Sequence, residues 1–313
     1  MNKLLALALS ALTTPAVAQE AEPPTPASVI AAAPASEWRR IDPADLLVMD
    51  LAPDREAKPR RVVIQLMPPP FSQGWIGNIR TLAKAHWWDG TSVYRVVDNW
   101  VAQWGDGEDD EAKAKPLPEG LRVVPESEYT TKVQDGDPLS HLKLADAYSQ
   151  FVIFWQAWPV GVDYSTVHSM EFTGWPVHCY GSVGVARDLS PDTGTGAELY
   201  AVIGHAPRQL DRNIAVVGRV IEGIEHLSTL PRGKGDAGVY DGPALRVPII
   251  SVRLGNEVPE FPQPVFEYLA SDSASFAEYV RVRANRQDAF YKVPAGGIDV
   301  CNVQVPIRRV PSE

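Results

Sequence analysis

The stretch Val93–Asp106, VYRVVDNWVAQWGD, constrains the fold of this chain more than any other. It divides into two short extended runs. In the first, Val93, Arg95 and Val97 fall on one face and Tyr94 and Val96 on the other, the period of two of a strand. Asp98-Asn99 is a turn signal, and Trp100-Val101-Ala102-Gln103 then opens a second run that Gly105-Asp106 closes. Arg95 and Gln103 stand out as strong hydrogen-bonding side chains among apolar neighbours. On spacing alone, an edge strand with a solvated arginine accounts for them equally well.

The order of residues says more. YRVVDNWVAQWGD resembles the cyclophilin signature, whose usual form runs F-H-R-x-I-x-x-F-x-x-Q-G-G-D. Arg95, Gln103, Gly105 and Asp106 match in register, and Trp100 stands where the family has Phe. A second block, from Gly181 to Gly223, is similar to the other half of that family. Its landmarks are Gly181-x-x-x-x-Ala186, Gly196-x-Glu198-Leu199-Tyr200, Leu210-Asp211 and Val217-Gly218-Arg219-Val220. The likeness covers residues 60–106 and 180–256, over a third of the chain.

The resemblance implies a mainly β fold: a closed antiparallel barrel of about eight strands capped by two helices. It implies a peptidyl-prolyl cis-trans isomerase that acts on proline-containing polypeptides and needs no cofactor and no metal. Arg95 and Gln103 take the catalytic positions. Trp100, Val101, Tyr200 and Leu210 map onto the proline pocket, and Ala186 with the backbone of Arg187 onto the strip that pairs with an extended substrate. Three substrate-contacting positions depart from the family: Glu198 replaces Gln, Gln209 replaces an aromatic residue, and Ile214 replaces His or Tyr. These departures leave a second reading open, a weakly active or inactive module of the same fold that binds polypeptides in the cell envelope.

The N-terminus bears on compartment. Met1-Asn2-Lys3 is a short positive region, Leu4–Leu12 is an apolar run too short to span a bilayer, and Ala16-Val17-Ala18 is an A-x-A cleavage site. Residues 1–18 therefore read as a secretory signal peptide cleaved after Ala18, with the mature chain expected in the periplasm and not inserted in the membrane. The net charge is −10, and −11 once the single Lys of that leader is removed. An acidic chain without a basic cluster argues against nucleic acid as a partner. Cys179 and Cys301 are the two cysteines present, and a lone pair in an oxidising compartment predicts a disulfide. Nothing in the sequence fixes the oligomeric state.

The remaining segments are read in chain order. Residues 19–37 are rich in Pro, Ala and Ser and predict a flexible tether. Residues 38–256 form the barrel domain, whose opening part, Trp38–Lys58, reads as an adaptor containing a strand at Leu46–Met49. Arg61–Leu66 predicts a strand, and Ser72 a cap for a helix with Trp75, Ile76, Ile79, Leu82, Ala83 and His86 on one face. An insertion, 107–178, leaves the family pattern. It begins with an acidic loop, and its aromatic stretch (Phe151, Phe154, Trp155, Trp158, Tyr164, Phe172, Trp175) is expected to pack it onto the barrel. Ile221–Leu230 predicts a short helix. In the extension 257–313, Ser275-x-x-Glu278 predicts the start of a helix over 275–286, and Cys301 is expected to pin the extension down.

Overall fold

Along Leu46–Leu51 and Arg60–Leu66, alternate side chains reach two different buried faces. Leu47, Met49, Leu51, Val62, Ile64 and Leu66 enter the main core. Leu46 and Val63 join a smaller outer cluster with Ile41 and Phe266. A strand covered on both sides reads as a continuous apolar run, which explains the unbroken Leu46–Met49.

A computed structural model describes residues 22–108, 110, 112–133, 142–164, 171–258 and 265–310. The expected leader, residues 1–18, and its expected cleavage site lie outside the described residues. Eight strands close into a barrel in the order Ser182–Val185, Leu199–Val202, Val101–Gly105, Ser92–Val96, Val247–Leu254, Leu46–Leu51, Arg60–Leu66, Val216–Glu222 and back to Ser182–Val185. Every pairing round the ring is antiparallel. Closure leaves no unpaired edge of the kind that invites aggregation. The expected barrel is present, and Leu46–Leu51 is one of its strands rather than part of an adaptor leading to it.

The helix Gln73–Lys84 covers the barrel with Trp75, Ile76, Ile79, Leu82 and Ala83 buried. Two expectations about its ends fail. Ser72 is left-handed (φ 57°) and makes no capping bond, because its hydroxyl donates instead to the Val216 carbonyl at 2.7 Å. His86 lies beyond the helix, exposed, with φ 54°. The second helix is a single turn, Glu225–Ser228, because Ile221 and Glu222 stay in the strand Val216–Glu222. Gly223 (φ +82°) turns the chain there, packed so closely that a Cβ would lie 2.0 Å from the Arg61 carbonyl oxygen.

The insertion folds as a four-stranded sheet ordered Thr131–Val133, Phe172–Pro176, Trp158–Tyr164, Phe151–Trp155. Its two faces serve two cores. Ile153, Trp155, Trp158, Val160, Val162 and Phe172 pack with the barrel interior, whereas Val152, Phe154 and Val177 pack with Leu269, Phe276 and Tyr279 of the extension. The aromatic stretch thus packs the insertion onto the barrel, as expected, and the same sheet also carries the extension.

The extension's helix is Ala274–Ala284, capped by Ser273, whose hydroxyl accepts from the Phe276 amide at 3.1 Å. The expected capping box at Ser275 does not form, since Glu278 pairs with Arg281 instead. Residues 26–37 are not a tether. Thr25 and Ser28 form a capping box, Pro26 opens the helix Pro26–Ala32, and Val29 and Ile30 pack with the Phe276 cluster. Cys179 and Cys301 are bonded, with Cα atoms 5.1 Å apart, tying the end of the insertion to the extension.

That bond closes a loop of 122 residues. Cys301→Ser is expected to lower the unfolding free energy by about 2–5 kcal/mol. Urea denaturation followed by tryptophan fluorescence measures it; an unchanged midpoint would show that the bridge contributes nothing.

Candidate active site

The ladder between Ser92–Val96 and Val101–Gly105 slips by one residue. Val93 pairs with Trp104 and Arg95 with Gln103, which leaves Tyr94 as the extra residue of a bulge. Val93 and Val96 therefore both enter the core, beside Ala102 and Trp104. Tyr94 and Arg95 emerge together on the opposite face, next to Gln103. Simple alternation had grouped Arg95 with Val93, and the bulge is the physical reason that it does not stay there.

Arg95 is held on two sides. Its Nη1 donates to Gln103 Oε1 at 2.8 Å, and its Nε donates to the Ala237 carbonyl at 2.6 Å. Gln103 Nε2 in turn donates to the Tyr94 hydroxyl. The loop that supplies Ala237 is itself tied to this strand: the Gly233 amide donates to Val96 O and the Tyr240 amide to Tyr94 O. Arg95 has five N–H donors. Two are engaged by these bonds, leaving three without a protein acceptor among the described residues. Its guanidinium carbon sits 5.7 Å from the centroid of the Trp100 ring. Burial draws the guanidinium below the usual arginine range.

Trp100 belongs to an apolar cluster beside Arg95. Val101, Tyr200 and Val202 are its buried floor, and Val97, Trp100, Ala186, Leu210 and Ile214 are partly buried around them. Two adjacent strands supply the floor, since Val101 pairs with Val202 and Tyr200 stands directly opposite Gln103. Asn99 (φ 51°) turns the chain into Trp100 and accepts from the His205 amide at 2.8 Å, while the Trp100 carbonyl accepts from the Ile203 amide at 2.8 Å. Trp100 is thus fixed through its backbone. The Trp100 indole N–H is buried with no protein partner among the described residues.

Most of the positions named from the sequence converge on this face. Arg95, Gln103, Trp100, Val101, Ala186, Tyr200, Leu210 and Ile214 meet as described. Arg187 lies at the rim, its side chain spent on the carbonyls of Asn213 (3.0 Å) and Asp188 (2.6 Å). Gln209 is exposed on the short turn Arg208–Leu210, outside the apolar cluster. Cys179 and Cys301 lie away from the groove and hold the insertion. Sequence reading missed Tyr94, the Ala237 carbonyl and His178, which meets the Tyr200 hydroxyl from behind. Only Tyr94 left a trace, as a polar aromatic next to Arg95; a main-chain acceptor and a through-space histidine leave none.

Glu198 extends the polar line. Its Oε1 accepts from the Asp106 amide at 2.7 Å. Burial pushes its carboxyl above the usual range, opposed by the Tyr94 hydroxyl and the Asp106 and Gly107 amides. Burial, then the Glu198 charge, push the Tyr94 phenol up as well. Glu198, Tyr94, Gln103 and Ala186 line a second hollow of about 340 Å³ that continues past Arg187 to Thr195. The site is therefore an apolar cluster and a polar hollow, linked by Gln103, which lines the hollow and stands opposite Tyr200 of the cluster.

The family model for "Cyclophilin type peptidyl-prolyl cis-trans isomerase/CLD" matches residues 74–254, more than half of the chain. The chain belongs to the cyclophilin-type isomerases. This cyclophilin carries its insertion inside the matched region, and its extension beyond it. The crystal structure of cyclophilin AquaCyp293 from Hirschia baltica is similar in fold, with a TM-score of 0.63 and 20% sequence identity over 93% of this chain and 99% of that one. No curated protein sequence matches this cyclophilin.

The raised Glu198 carboxyl sets the sign of a pH effect. The folded state holds that proton more tightly than the unfolded state, so stability falls as pH rises above the unfolded glutamate value of about 4.3. Glu198→Gln is expected to raise the urea midpoint at pH 7.5 and to leave it unchanged at pH 4. A variant less stable than the native protein at pH 7.5 would show that the carboxylate charge is welcome there.

Proposed function

We propose that this cyclophilin isomerises X-Pro peptide bonds of exported polypeptides, with Arg95 stabilising the twisted amide above the apolar hollow. The chemistry asked of the protein is modest. Rotating the bond breaks amide resonance, with an uncatalysed barrier of about 18–20 kcal/mol. No bond to the substrate forms or breaks, so no nucleophile is needed. As the bond turns, the prolyl nitrogen becomes pyramidal and gains a lone pair. A donor aimed at that lone pair acts mainly in the transition state, which is what accelerates a reaction.

The observation that carries this reading is the Arg95–Gln103 pair, 2.8 Å apart, beside the Val101–Tyr200–Val202 floor. Gln103 and the Ala237 carbonyl hold the guanidinium without neutralising it, because both acceptors are uncharged. The proline ring belongs against Trp100, Tyr200 and Leu210. Ala186 supplies main chain for the extended residues that precede it. Gln103 and Glu198 face the polar hollow, where those residues' side chains and carbonyls fall. The leader at 1–18 and the Cys179–Cys301 bond support an exported, oxidising setting, the periplasm.

The mature chain is expected to accelerate cis–trans exchange of an Ala-Pro peptide in NMR exchange spectroscopy. Arg95→Ala is expected to reduce that acceleration by about 10²-fold, the scale on which a transition-state donor acts. Equal rates for the two proteins, or no acceleration by either, would replace the enzymatic reading with a polypeptide-binding module.

A further inference from the structure

Behind the apolar cluster, from the Tyr200 hydroxyl inward, runs a buried polar line that the isomerisation does not itself require. The Tyr200 hydroxyl lies 2.9 Å from His178 Nε2, and His178 Nδ1 lies 2.9 Å from Asp211 Oδ1. The same Asp211 oxygen accepts from the His178 amide at 3.0 Å. Asp211 Oδ2 accepts from Arg208 Nε at 2.7 Å, and the two Nη atoms of Arg208 donate to the two oxygens of Asp146, each at 2.7 Å. The side chains of His178, Asp211, Arg208 and Asp146 are between 0% and 4% exposed. A carboxylate can only accept, so Nδ1 carries the histidine proton and the ring orientation is fixed.

This line joins four separate parts of the chain: the insertion at Asp146, the turn Arg208–Leu210 with Asp211, His178 next to the disulfide, and the barrel strand Leu199–Val202. It ends on Tyr200, the buried ring of the apolar cluster beside Arg95. The barrel makes room for the hydroxyl. Gly184 stands opposite Tyr200 in the ladder, and a Cβ there would lie 2.3 Å from the hydroxyl oxygen. A phenylalanine would fill the same floor with no such tether, so the added oxygen serves the tether.

We propose that His178 and Asp211 are positioning residues that hold the Tyr200 ring as a fixed floor for the substrate proline, with Asp146 of the insertion bracing them through Arg208. This rests on the proline-pocket reading above. The floor meets the proline ring in the ground state and the transition state alike, so a loosened floor weakens substrate binding and leaves turnover at saturation in place. Arg95 has the opposite signature.

The test measures peptide affinity by titration calorimetry and saturating exchange rate by NMR for the mature protein and for Tyr200→Phe, His178→Gln and Arg95→Ala. Tyr200→Phe and His178→Gln are expected to raise Kd and KM about fivefold, the effect of one hydrogen bond, and to keep kcat within twofold. Arg95→Ala is expected to lose kcat and keep Kd. A merely structural role would lower the melting temperature of Tyr200→Phe and leave Kd at 15 °C unmoved, and that result overturns the proposal. If His178→Gln does not fold, Tyr200→Phe decides alone, since it removes a single oxygen. If the native protein binds the peptide without catalysis and Tyr200→Phe weakens binding, the enzymatic reading falls while the brace stands. A native protein that binds no proline peptide overturns both.

Discussion

The one-residue slip between Ser92–Val96 and Val101–Gly105 is the constraint on which the site depends. In an unbroken strand, Tyr94 and Arg95 would point to opposite faces, and one of two polar side chains would be driven into a core filled by Trp88, Trp104 and Leu199. The bulge puts both on the outer face, where Gln103 already points. Barrel closure then fixes what surrounds them: Val101–Gly105 pairs on its other side with Leu199–Val202, which brings Tyr200 and Glu198 alongside. An arginine among neutral acceptors, next to an apolar cluster, is thus a product of register.

The insertion shares the barrel's main core through one face of its sheet and builds a second core with the extension through the other. Neither stands as a separate layer, because the sheet of the insertion has apolar residues on both faces and needs two partners. The barrel covers one face and the extension the other, with the Cys179–Cys301 bond at the seam. Burial of Arg208 with Asp146 and Asp211 also belongs to this seam. Burial alone lowers the affinity of Arg208 for its proton, but its bonds to Asp146 and Asp211 outweigh this and raise it; the same pairing holds Asp146 below the usual carboxylate range. Taking one partner away would strand a buried charge, so the seam tolerates little change.

What could be read in the sequence was set by how local its cause is. The barrel was legible because Arg61–Leu66, Val183–Val185 and Val216–Val220 alternate or run apolar between clear turn residues. Most of the groove was legible because its residues fall in two contiguous blocks whose spacing resembles a known family. The bulge at Tyr94 was not, since it arises from pairing with a strand and not from the run itself. Helix ends slipped for the same reason: Ser72 had a better acceptor in Val216 O than its own helix, and Glu278 had Arg281. The Pro/Ala-rich run at 19–37 read as a tether by composition, yet Val29 and Ile30 find the extension's helix to pack on. The line from Asp146 to Tyr200 joins four separated segments and has no one-dimensional signature.

The proposed catalysis requires the Arg95 guanidinium and a substrate proline to meet beside the Trp100–Tyr200 cluster. A crystal structure of the mature protein with an Ala-Pro peptide tests it most directly. The prolyl ring is expected against Trp100, Tyr200 and Leu210, with an Arg95 nitrogen within about 3.2 Å of the prolyl nitrogen or the carbonyl oxygen before it. A peptide lying along the polar hollow with its proline far from Arg95, or bound to the insertion instead, would contradict it.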